Sequence, residues 1–151
     1  MREAIHKFKY QNLRSLAAPL ASMLQEYLVT NPVDVDVLVP VPLHRKRLRE
    51  RGYNQAELLA QELGKLINIP VIDDVLVRLR HTLPQARTAT IEERRHNIAD
   101  AFACLDNRLR NQRVLLLDDV ATSGTTLDAC AVVLKANGAA AVWGLVMARE
   151  I

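Results

Sequence analysis

Asp118 and Asp119 close an apolar run, 114–117, and are followed at once by Ala121, Thr122, Ser123, Gly124, Thr125 and Thr126. Ionised carboxylates only accept hydrogen bonds, so this pair suits the vicinal hydroxyls of a sugar and repels a phosphate. The residues after it have the opposite bias. Four hydroxyl side chains are donors, and a glycine lets backbone N–H groups approach an anion closely. If a helix begins here, its first N–H groups lack intrahelical partners and its dipole favours negative charge, which makes the loop a phosphate cradle. Acids for a diol beside a cradle for a phosphate describe a ribose 5-phosphate. The plainer alternative is ordinary helix capping beside a solvated strand end. The compact order of apolar run, acid pair and hydroxyl loop favours the ligand. The sequence has no Gly-x-Gly-x-x-Gly and no Gly-Lys-Ser/Thr, so a dinucleotide fold and an NTPase loop are disfavoured.

The surrounding elements must hold these residues in place. Segment 114–117 lacks polar alternation and predicts a strand covered on both faces, and 127–136 predicts a helix ending at Gly138. Apolar spacing predicts a helix over 13–28, stopped by Asn31-Pro32, and another that 52–54 leads into, with Leu58, Leu59, Leu63, Leu66 and Ile67 on its apolar face, ending before Pro70. Strands are predicted over 35–41, 75–79, 101–105 and 140–148. Thr90 and Glu93 form a capping box for a short helix. Alternating strands and helices imply an α/β fold, a parallel sheet flanked by helices, in one domain spanning 1–151 with no internal repeat.

Composition narrows the function classes. A chain of 151 residues, half of them apolar, can bury a full core without staples. Cys104 and Cys130 are far apart in sequence with no Cys-x-x-Cys, so core thiols in a reducing, cytoplasmic setting are expected rather than a disulfide or zinc site. No apolar run approaches a membrane span, and the amino end has no secretory core, so no membrane association is expected. Net charge is +3, yet segments 44–51 and 78–96 carry +4 and +3, leaving −4 for the rest.

Segment 44–51 matters because ligands of open parallel sheets bind beyond the carboxyl ends of strands. The loop Val41, Pro42, Leu43, His44, Arg45 follows one predicted strand, as the hydroxyl loop follows another. The cations Arg45, Lys46, Arg47, Arg49 and Arg51 therefore suggest a second anionic group near the first, for which pyrophosphate is the natural candidate. A solvated amphipathic turn is the alternative for any one of them. His44 is read either as a phosphate contact or as a solvated turn residue. Tyr53 and Trp143 are assigned to packing rather than to base stacking.

The stretch from 114 to 126 resembles the phosphoribosyl pyrophosphate (PRPP) signature of the type I phosphoribosyltransferases. Together with Val39-Pro40-Val41-Pro42-Leu43-His44, Arg51-Gly52-Tyr53-Asn54-Gln55-Ala56-Glu57, Gln85-Ala86-Arg87 and Glu93-Arg94-Arg95-His96-Asn97, it resembles the ComF/GntX family of phosphoribosyltransferase-like proteins. The resemblance runs over about 9–149. It implies that Asp118 and Asp119 hold the ribose 2- and 3-hydroxyls and that Ala121, Thr122, Ser123, Gly124, Thr125 and Thr126 hold the 5-phosphate. It further implies that Val41, Pro42, Leu43, His44 and Arg45 form the pyrophosphate loop, with Arg51, Asn54 and Gln55 beside it. Segment 79–97, including Arg94, Arg95 and Asn97, would be a flexible hood. Family members commonly carry an amino-terminal four-cysteine zinc ribbon. This sequence starts past its place, as a shortened member or an excised domain would, and nothing that depends on the ribbon is carried over.

The chemistry so implied is displacement of pyrophosphate from C1 of PRPP by a nitrogenous acceptor, with Mg2+ carried on the substrate rather than ligated directly by protein. Such a site supplies positioning and charge neutralisation, so no nucleophilic triad is needed. A non-catalytic PRPP or nucleotide sensor acting with competence or DNA-uptake proteins is the alternative. Direct nucleic-acid binding ranks third, because Glu50, Glu92 and Glu93 interrupt the basic segments and aromatic residues are only 4%. Helix 13–28 is apolar enough to support a homodimer or internal packing.

Overall fold

The computed structural model describes residue 3 and residues 14–79, 101–121 and 123–150. A 3-10 turn, Arg14–Leu16, leads into α1, Ala17–Thr30. β1, Val37–Pro40, is followed by the short α2, Arg45–Arg51, and by α3, Gln55–Ile67. Then come β2, Leu76–Arg78; β3, Phe102–Cys104; β4, Arg113–Ala121; α4, Thr125–Ala136; and β5, Ala141–Arg149.

β4 is the centre of a three-stranded parallel sheet ordered β1-β4-β5. Its residues alternate between two cores, as the period of a strand requires. Val114 and Leu116 join Val37, Val39, Cys130 and Leu134 under α4, whereas Leu115 and Leu117 join Leu38, Leu20, Leu59 and Leu63 under α1 and α3. All four β4 residues are at most 1% exposed. This is why the run has no polar alternation: neither face meets water. The outer edge of β1 is covered by a backbone bridge to Val71, with Leu38 N–H donating to Pro70 O at 2.9 Å and Ile72 N–H to Leu38 O at 3.0 Å.

Two features depart from the sequence reading. β2 and β3 do not join the parallel sheet; they pair antiparallel with each other, Arg78 opposite Phe102. The strands run out and back, and the ladder continues past Arg78, with Leu79 N–H donating to Ala101 O at 2.6 Å. The strand over 114–117 also runs further, to Ala121, because β5 continues alongside it to Arg149. Asp118, Asp119 and Ala121 are therefore strand residues, and α4 starts earlier than predicted, at Thr125. The capping box at Thr90 and Glu93 lies outside the described residues.

The start of β4 is clamped to the start of β1. Asp36 accepts from the Arg113 backbone N–H at 2.8 Å and from its Nε and Nη2 at 3.0 and 2.8 Å, while Asp34 takes Nη1. These bonds hold the half-buried Asp36 carboxyl at about 2, below its ordinary 3.8, and push Arg113 up. A carboxyl depressed on folding stabilises above its unfolded value and loses that contribution as pH falls through the folded one. The urea midpoint should therefore fall between about pH 4 and about pH 2. In Asp36→Asn the midpoint should be lower at neutral pH and fall less steeply over that acid window, where Asp106, held down by Arg108, still titrates; a slope equal to that of the wild type would contradict the clamp.

Candidate functional site

The carboxyl ends of β1 and β4 open into two adjoining spaces. The first is a groove of about 120 Å³ lined by Asp118, Val120, Ala121, Ser123, Gly124, Thr125, Thr126 and Leu127. It forms because β4 ends one turn before α4 begins. Gly124 is the residue preceding the helix, with φ of +80° and no side chain of its own to cap it, and the Thr125 N–H reaches Ser123 Oγ at 3.4 Å. Nothing lies within 4 Å of where a Cβ on Gly124 would stand, so the glycine answers to its left-handed backbone and not to crowding. Ser123 Oγ and Thr125 Oγ1 lie 2.6 Å apart at the mouth. A helix N-terminus preceded by a glycine, with two hydroxyls beside it, makes an anion cradle.

The two acids are not equivalent. Asp118 lines the groove, and its Oδ1 accepts from the Asp119 N–H at 2.8 Å. Strand alternation sends Asp119 to the other face, where Oδ1 accepts from the Val120 N–H at 2.8 Å and Oδ2 is buried with no hydrogen-bond partner. A buried unpaired acceptor is costly, about 1–3 kcal/mol, so Asp119 has an acceptor position unfilled by the protein.

The second space is a cavity of about 570 Å³, lined by Pro40, Pro42, Leu43, His44 and Arg45 after β1, by Asn54, Glu57 and Asp73, and by Leu76 to Leu79 along β2. It adjoins the groove because Pro40 pairs in register with Leu117 and the Val41 N–H donates to Leu117 O at 2.8 Å. Small-molecule pockets measure roughly 300–1,000 Å³. The groove alone is below that range, and the cavity is within it.

The loop after β1 is held by the residues that follow. His44 caps α2, its Nδ1 accepting from the Lys46 N–H at 3.2 Å, and Gly52 ends that helix with φ of +81°. Asn54 is 9% exposed and bonds twice: Oδ1 accepts from the Ala56 N–H at 3.0 Å, and Nδ2 donates to Val41 O at 3.1 Å. Arg51 Nη1 donates to Gln55 Oε1 at 3.3 Å. Thus Val41, Arg51 and Gln55 support the loop without lining the cavity, while Pro42, Leu43, His44, Arg45 and Asn54 line it. Thr122, Arg94, Arg95 and Asn97 lie outside the described residues. Tyr53 is core, under the guanidinium of Arg14 at 5.2 Å, and Trp143 is 38% exposed on β5.

Charge is distributed unevenly around these spaces. Arg108 pairs with Asp74 and Asp106, and Arg113 with Asp34 and Asp36. Among the described residues Arg45, Lys46, Arg47 and Arg49 form no ion pair. Three polar residues of the cavity received no role from the sequence: Arg78, Glu57 and Asp73. Burial, then the nearby Arg47, depresses Arg78, with Asp118 acting in the other direction. Burial and the neighbouring Asp73 raise Glu57, and burial raises the Cys130 thiol well above its ordinary value. The only signal for Arg78 in the sequence was its place at the start of a basic segment. Nothing marked Glu57 and Asp73, which converge from separate elements. No described helix is long and apolar enough to cross a membrane.

The architecture is that of the type I phosphoribosyltransferases. The adenine phosphoribosyltransferase of Thermoanaerobacter pseudethanolicus superposes with a TM-score of 0.55 over 86% of this chain and 66% of its own, at 15% identity, a likeness of fold. No family profile matches the sequence. Competence protein F of Haemophilus influenzae is 37% identical over 95% of this chain, and the DNA utilization protein YhgH of Salmonella typhi is 33% identical over 91%. The chain belongs to this ComF family of phosphoribosyltransferase-like proteins. It spans 66% and 62% of the length of those two relatives.

Gly124→Ala tests the cradle. A side chain in the left-handed region costs about 1–2 kcal/mol, which should lower the melting temperature by roughly 2–4 °C per kcal/mol in a chain of this size. Ribose 5-phosphate binding by calorimetry should fall by more than that loss of stability explains. Unchanged affinity would place the phosphate elsewhere.

Proposed function

We propose that this chain binds PRPP in the paired spaces and acts as a phosphoribosyltransferase. The observation that carries the reading is the shared groove: Asp118 lines the same space as Ser123, Gly124, Thr125 and Thr126 at the start of α4. The 5-phosphate takes the helix N-terminus, and the ribose hydroxyls donate to Asp118, while Asp119, on the other face of β4, steadies the strand end by accepting from the Val120 N–H. The pyrophosphate extends past Pro42 and Leu43 toward His44 and Arg45.

In the reaction a nitrogen lone pair of the acceptor forms a bond to C1 while the bond from C1 to the pyrophosphate oxygen breaks. Pyrophosphate leaves with the electron pair, and the acceptor nitrogen loses a proton. The protein's part is to fix both ends of the sugar and to neutralise the departing charge with the cations of the β1 loop. A hard cation fits this donor set. The Asp118 carboxyl, which lines the groove, would accept hydrogen bonds from waters of a phosphate-borne Mg2+. Mg2+ would there supply charge stabilisation of the pyrophosphate.

A second reading is favoured by the names of the relatives, a competence protein and a DNA utilization protein. In it the chain binds PRPP without turnover and works with partners in DNA uptake. Release of pyrophosphate from PRPP on addition of bases or ammonia separates the two.

Titration calorimetry with PRPP and Mg2+ tests what both share. Asp118→Asn should weaken binding by about tenfold or more, from the loss of a charge-assisted hydrogen bond. Asp119→Asn, outside the groove, should weaken it less, and the double variant should abolish it with the fold intact. Unchanged affinity in the double variant would refute the site.

A further inference from the structure

Arg78 is the last residue of β2 and lines the 570 Å³ cavity together with His44 and Arg45. Its guanidinium lies 5.3 Å from the centre of the Phe102 ring, on the paired strand β3. It is therefore carried by a strand and braced by an aromatic face, a more rigid mount than a loop. Burial and Arg47 of α2 oppose its positive form, and Cys130 and Asp118 favour it. A cation on this wall of the cavity, beside His44 and Arg45, suits an anion lying in that space. Asp118 in turn limits what that anion is. An anion at Arg78 that belongs to the same ligand as hydroxyls held by Asp118 lies at the end of the sugar away from the α4 cradle, since Arg78 does not line that groove.

We propose that Arg78 is a specificity-determining residue that binds the pyrophosphoryl group of PRPP and so distinguishes PRPP from ribose 5-phosphate. This rests on the PRPP reading above and adds a residue from β2 to a site otherwise built after β1 and β4. The planar fork of the arginine suits two phosphate oxygens at once, in a way that a lysine does not.

The test uses three probes, magnesium pyrophosphate, ribose 5-phosphate and PRPP with Mg2+, titrated into the wild type, Arg78→Met and Arg78→Lys. Methionine keeps a long apolar stem against Phe102, and melting temperatures check that each variant folds. Arg78→Met should weaken pyrophosphate and PRPP by about tenfold or more and leave ribose 5-phosphate within about twofold. Arg78→Lys should recover only part of the loss. Equal weakening of all three probes would make Arg78 a structural brace, and unaltered pyrophosphate binding would also overturn the assignment. A wild type that binds ribose 5-phosphate but not pyrophosphate removes this inference and leaves the phosphate cradle standing. A wild type that binds none of the probes removes both.

Discussion

Burial of β4 on both faces is the constraint from which the site follows. A strand pressed between α4 on one side and α1 with α3 on the other must be apolar at every position, and Val114 to Leu117 are. Each such side chain taken out of water contributes on the order of 1.5–3 kcal/mol, enough that a carboxylate among them would be unsupportable without a partner. The acids therefore come only where the helical layers end. The burial that holds the fold together also fixes the point along the strand at which polar chemistry begins, and that point lies next to the turn into α4.

The cations follow a complementary logic. At the far end of the sheet, Arg113 is spent on Asp34 and Asp36, and beside β3 Arg108 is spent on Asp74 and Asp106. Such pairs fix geometry and leave little field to attract a ligand. In α2, Arg45, Lys46, Arg47 and Arg49 form no ion pair among the described residues, so their charge is available to the adjoining cavity. The split between neutralised and unneutralised arginines gives the molecule a structural end and a receptive end.

Much of this was legible in the residue order, and the exceptions have physical causes. The apolar run, the helix before Pro70 and the helix ending at Gly138 were readable because periodicity reports burial directly. That a helix starts after the hydroxyl loop was readable because glycine and hydroxyl residues favour helix starts. The antiparallel pairing of β2 with β3 was not, since three-residue strands carry no periodic signal and their partner choice is set by long-range contacts. Nor was the inequality of Asp118 and Asp119, which depends on β4 continuing past them alongside β5. Arg78, Glu57 and Asp73 share a cavity only because three separate elements converge, and no local pattern records that.

The clamp between Asp36 and Arg113 also acts as a phase reference for the whole strand. A pleated strand repeats every two residues, so a slip of one position exchanges the sides to which every residue points. Were one residue lost from the turn between β3 and β4, the chain could re-pair its apolar residues with modest repacking. The carboxylate now in the groove would then rotate away from it, and its neighbour would take its place one step nearer the loop. Length variation among descendants of this chain should thus be tolerated on surfaces remote from β4 and selected against in the few residues that precede Arg113.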